Sequence, residues 1–338
     1  MSILASDLTA CLSASVTGDP ATNGGRPAAE NMSLNTKNNA FPDVNSAMRA
    51  SGGTRRRKLF LCNRNTDNLS GEAVMVVMDA ITEYGCYAWF TPADFDGFES
   101  DLTGGEPVYG VALLAEAAAA GATTISLALE DAALFAMLAT GRELLISCRV
   151  AFENTVSTVG TEESHVIASA MLSGTTATVT LTTPLENAYA AGSRASTVYR
   201  PPDLAPALSG WTETGSGTYD RAGSPIVLTN RGTIRQKWTV RYTSATEFTI
   251  TGDALGLVGT FATSADASPT NPDTAAGGDP YFTLPAAGHG SGHAAGDTIE
   301  FWTSPAACPL WVISVIPAGT DAYGMTDAPI AWHVESPE

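Results

Sequence analysis

The sequence predicts a mainly β protein, with β-sandwich-like domains, a small β-barrel-like insertion and an extended N-terminal arm. Three observations lead there. Apolar residues fall in short runs or strict alternation instead of helical spacing, and turn residues punctuate them. The 338 residues include 32 Gly and 19 Pro, enough for many tight turns. Charged residues make up only 15%, against ~25% in an average soluble domain, so part of the surface is expected to face other protein.

The elements follow in chain order. Residues 1–54 read as the arm: from Gly18 to Thr54 the chain is rich in Asn, Gly, Ala and Pro and holds no sustained period. One apolar anchor, Phe41 to Val44, interrupts it. Such a segment is disordered alone or lies extended across a neighbour.

Residues 55–107 read as the first part of a β-sandwich, with strand-length apolar runs at 58–63, 73–78 and 86–90. Residues 108–200 read as a small β insertion module. It has a strand at 122–127, a short helix at 131–139 and a hairpin of 165–172 with 176–181, closed at Ser173 and Gly174. Alternation sets Ala177, Val179 and Leu181 on one face and threonines on the other.

Pro201, Pro202 and Pro206 make a stiff linker into a C-terminal β-sandwich region, 201–338. There 234–242 alternates cleanly, with Ile234, Gln236, Trp238, Val240 and Tyr242 on one side, and strands follow at 247–252, 298–303, 310–315 and 330–334.

Composition narrows the partners. A net charge of −18, from 17 basic and 35 acidic residues, opposes nucleic-acid binding, which requires cations that displace counterions. The exception is Arg55, Arg56, Arg57 and Lys58. This run is either a solvated strand start or a patch that docks on an acidic neighbouring subunit, and Phe41 is assigned to the same subunit interface. The first residues lack the basic-then-apolar pattern of a secretory leader, and no run approaches ~18 apolar residues, so no membrane contact is expected. The five cysteines are scattered without metal spacing and are expected to be reduced and mostly buried.

Candidate chemistry is sparse. His289 and His293 flank a Gly-Ser-Gly frame and are the most tempting metal ligands, but the frame is floppy and offers no third ligand. Asp94, Asp96, Glu99 and Asp101 have the carboxylate density of a calcium loop without the EF-hand order. No hydrolase, zinc-protease, P-loop or dinucleotide fingerprint occurs. The reading is a non-enzyme with no catalytic residue, no cofactor and no committed metal site.

Several segments resemble an uncharacterised family of tailed-bacteriophage virion proteins. Asn38 with Phe41, Pro42, Asp43 and Val44 matches a family pattern N-x-x-[FW]-P-D-V. Gly52 through Arg57, Lys58 and Phe60 match the G-x-x-[KR]-Y-R-K-x-F that follows it. Further similar segments are 238–248, 268–272 with 280–284 and 294–298, and 305–312 with 315–319, so the resemblance touches most of the chain. Arg56 stands where relatives favour Tyr, and His289 and His293 stand where they tend to have Trp, which weakens the metal reading.

The resemblance implies a place in the virion, after assembly in the host cytoplasm, beside copies of itself and other virion proteins. The expected role is a ring- or lattice-forming neck, tail or baseplate protein. Capsid decoration or a capsid-attached fibre is the close alternative, and a module contacting host-surface glycan is a further one. On the arm reading, removal of residues 1–40 leaves a folded protein that fails to assemble.

Overall fold

The computed structural model describes residues 2–33, 39–79, 86–150, 161–321 and 330–337. Its strands fall into three β units and a two-stranded ribbon, every pairing antiparallel. The first unit begins with β1 (Leu8–Ser15), β2 (Gly24–Pro27), β3 (Gly53–Asn63), β4 (Glu72–Met78) and β5 (Tyr87–Pro92). The second holds β6 (Val111–Leu114), β7 (Thr124–Ala128), β8 (Glu143–Val150), β9 (Glu162–Ser173), β10 (Thr176–Leu181) and β11 (Ser193–Thr197). The third holds β12 (Ala207–Thr214), β13 (Gln236–Tyr242), β14 (Glu247–Gly252), β15 (Gly256–Ala262) and β16 (Thr298–Ser304). The chain then returns to the first unit with β17 (Ala307–Ile316) and β18 (Ile330–Glu335).

The first sheet has the order β2-β1-β3-β17-β5, and the β4–β18 ribbon packs against one face of it. Alternation explains the layer. Leu59 and Leu61 of β3, Leu310 and Val312 of β17, and Ala88 and Phe90 of β5 turn inward onto Val74, Val76 and Met78 of β4, with Trp332 of β18 at the margin. Burial of these side chains is the main stabilising term for the unit, at roughly 1.5–3 kcal/mol for each large aliphatic or aromatic residue.

The second unit is a closed barrel in the order β10-β7-β6-β11-β8-β9. Ile125, Leu127, Leu144, Ile146, Ile167, Ala177, Val179 and Leu181 fill it, as the alternation of β10 requires. The predicted helix at 131–139 is a 3₁₀ turn, Ala132–Leu138, started by the Asp131 side chain accepting from Ala133 N. It buries Leu134, Met137 and Leu138 against the barrel core.

The third sheet runs β12-β16-β13-β14-β15. Trp238, Val240, Tyr242, Phe248, Ile250, Ile299 and Phe301 form one apolar face, and it is covered by bridged loops carrying Tyr219, Ala267, Phe282 and Leu284, giving a sandwich-like layer.

Two stretches lie elsewhere than the sequence placed them. Part of the segment read as an arm is sheet: β1 pairs with β3 over Leu8–Leu12, and its Cys11 is wholly buried. The end of the segment read as a C-terminal sandwich belongs to the first unit, where β17 lies between β3 and β5 and β18 pairs with β4. The reason is physical: β17 is apolar on both faces, a pattern that a central, doubly covered strand demands.

Candidate assembly surface

The basic run lies on β3, so its side chains alternate between faces. Arg55 and Arg57 share one face, and their guanidiniums stand 5.0 and 5.7 Å from the Phe41 ring centroid. Arg55 also donates to the Pro42 carbonyl. The two segments that carry the beginning of the family resemblance therefore clasp each other, with the arm's aromatic anchor held between two cations.

On the opposite face Arg56 donates to Glu99 Oε1 at 3.0 Å. Lys58 is fully buried, and this corrects its assignment to a docking patch. Its ammonium donates to the carbonyls of Gly25 at 2.8 Å, Phe95 at 3.1 Å and Gly97 at 2.8 Å. Burial pushes its pKa down to about 8, against the pull of Asp96, Asp94 and Asp101. Lys58 thus ties β2 and the acidic loop onto the sheet, and it presents no charge to a partner. Gly24 completes that tie: at φ +122° it takes a conformation that suits glycine, and a Cβ there would meet Gly97 O at 2.8 Å.

The acidic loop is likewise occupied. Asp96 accepts from Arg26 Nε at 2.9 Å and from Arg235 Nε at 2.8 Å. Arg26 continues to Asp253 at 2.7 Å, and Arg235 lies 4.3 Å over the Trp302 ring. This lattice joins β2 of the first sheet to β13, β16 and the β14–β15 turn of the third. Burial opposes ionisation of Asp96, but hydrogen bonds from Arg235 and Arg26 outweigh it and hold the carboxyl below its ordinary range. A carboxylate that two guanidiniums share is not a cation site. Asp94 is exposed and is not drawn into the lattice.

His289 and His293 do come together, with ring centroids 6.0 Å apart, inside the aromatic face of the third sheet. His293 stacks on Tyr242 at 3.8 Å, and His289 Nδ1 shares a 2.7 Å hydrogen bond with the Tyr242 hydroxyl. Burial, followed by the neighbouring His293, pushes His289 down to about 4, and both rings pack among the aromatic side chains of this face. Among the described residues no group of three or more His, Cys, Asp or Glu is placed to hold a metal ion.

What the surface offers instead is apolar. Met171 at the β9–β10 hairpin is 77% exposed, and Leu255 just before β15 and Leu257 within it are 45% and 66% exposed. A groove of about 460 Å³ between the first sheet and the barrel's 3₁₀ turn is lined by Trp89, Leu102, Ile313 and the Arg56–Glu99 pair. Sequence reasoning missed the Arg26–Asp96–Arg235 lattice, in which Asp96 lies 139 residues from Arg235 and 70 from Arg26. Its one local signal was an isolated Arg beside paired glycines. Cys11, Cys62 and Cys308 are buried. No helix among the described residues is long and apolar enough to cross a membrane.

No protein-family model, curated protein or solved structure matches this chain.

Proposed function

We propose that this chain is a structural component of a tailed-phage virion, acting as a ring- or lattice-forming protein of the neck, tail or baseplate. It works mechanically, without catalysis or cofactor, beside copies of itself and other virion proteins. The observation that carries the reading is that the two segments beginning the resemblance meet in the fold, with the Arg55 and Arg57 guanidiniums both over the Phe41 ring. The low charge density and the exposed apolar residues at Met171, Leu255 and Leu257 add support, because subunit contacts would cover them.

Quantitative mass spectrometry of purified particles tests the reading against the major capsid protein. Six to a few dozen copies are expected for a neck, tail or baseplate ring. Hundreds of copies would move the protein to the head shell, as decoration or as a capsid-attached fibre. Absence from clean particles would overturn the virion reading and bring forward a host-surface glycan-binding module.

A further inference from the structure

A sheet edge presents unpaired N–H and C=O groups, and natural proteins cover, close, break or charge such edges. In the first sheet, β2 is bridged at Gly24 by Phe98, and β5 at Phe90 by Tyr109. The barrel closes on itself. In the ribbon, β4 is bridged at Val76 by Tyr199, Gly71 just before it is bridged by Leu204, and β18 carries His333 and Glu335. On the third sheet, β12 is broken by a register shift between Ser209 and Thr212, with Gly210 at φ +62°, and it carries Glu213.

The other edge of that sheet, β15, carries no bridge and no charged side chain among the described residues. A bulge at its start leaves Gly259–Ala262 in regular register with β14. Residues 254–265 hold no charge, between Asp253 and Asp266, and Leu255 and Leu257 stand exposed there. The hydrogen bond from Thr263 N to Thr246 O fixes the alternation, so the peptide groups of Thr260 and Ala262 turn away from β14.

We infer that β15 pairs antiparallel with β15 of a second copy, about a twofold axis at Thr260, joining two five-stranded sheets into one. The inference rests on the assembly reading above and names one of its contacts. Two arguments favour a second copy as the occupant. A strand paired antiparallel to itself is self-complementary, as a twofold interface requires. Each copy carries −18, and the uncharged stretch is where two such chains approach with least repulsion.

The test is the mass of the full chain by analytical ultracentrifugation from 1 to 100 µM, with two variants. Thr260→Pro removes an N–H that the protein's own sheet does not use, and Leu257→Lys charges the edge without touching the core. A wild-type dimer, lost in both variants while circular dichroism and the melting midpoint hold, is the expected result. Thr260→Pro is read only if it folds, and Leu257→Lys carries the test if it does not. A monomeric wild-type protein overturns the pairing, and so does a dimer that survives in the folded variants. Either failure leaves the virion reading to the particle copy number, which does not depend on this contact.

Discussion

Arg26 donates from Nε to Asp96 Oδ1 at 2.9 Å, and the pair reaches the third sheet through Asp253, which accepts from Arg26, and Arg235, which donates to Asp96. Asp96→Ala leaves Arg235 without its carboxylate while Arg26 keeps Asp253. The expected loss is about 1–2 kcal/mol, allowing for the 40% exposure of the Asp96 side chain. Calorimetry should show the third unit melting earlier and apart from the first. A single transition at the wild-type midpoint would show that the joint is dispensable.

The same carboxylates give a pH dependence with a fixed sign. Hydrogen bonding to Arg26 lowers Asp253, and Asp96 is lowered as well, so each binds its proton less readily in the folded state. Their contribution is full above the ordinary carboxylate range and is lost as pH falls through the lower folded values. Urea midpoints measured from pH 6 to pH 2 should fall, and Asp96→Asn should reduce the slope.

Lys58→Met keeps the side chain's volume but leaves the carbonyls of Gly25, Phe95 and Gly97 without their shared donor. A loss of about 3 kcal/mol is expected, because the Gly25 and Phe95 carbonyls would go unsatisfied while Gly97 O keeps its bond from Gly25 N. Chemical denaturation measures it, and a loss under 1 kcal/mol would show that water replaces the ammonium.

Removal of residues 2–27 takes out β1 and β2 and uncovers the side of β3. The truncated protein should be insoluble or lose its cooperative unfolding, in contrast to the folded product that an unstructured arm predicts. Soluble protein with wild-type circular dichroism would show that the sheet closes without them.

His289 adds a second acid sensitivity, at higher pH. Its folded value near 4 lies below the ordinary 6.5, so the unfolded chain takes up its proton first. Stability is therefore full above about pH 6.5 and declines as pH falls toward 4. Tryptophan fluorescence should report this in the third unit, and His289→Asn should remove the slope between those values.

Where a strand's pattern is local, the sequence showed it. Gln236, Trp238, Val240 and Tyr242 alternate as read, and the structure buries them while Ile234 before the strand is half-buried; Ala177, Val179 and Leu181 line the barrel. Strand partners were less legible, since an apolar run does not say which sheet it enters. The run at 310–315 was therefore assigned to its sequence neighbours, while β17 pairs with β3 from Cys62↔Ala307 to Gly53↔Ile316. Lys58 misled for a related reason: in sequence it continues three arginines, but alternation on β3 turns it inward beneath a loop that the one-dimensional pattern does not bring near.

The position of β17 bears on how the protein is made. Its two neighbours, β3 and β5, do not touch each other in the sheet, so the first unit has no centre until residues beyond Ala307 have left the ribosome. At ~5–20 residues per second, translation from Asn63 to Ala307 occupies roughly 10–50 s. Through that interval β3 waits with its apolar positions unpaired on one side, while the barrel and most of the third sheet already have all their strands. Nascent chains stalled short of residue 307 should therefore recruit chaperones at β3, and β17 acts as the timing element of synthesis.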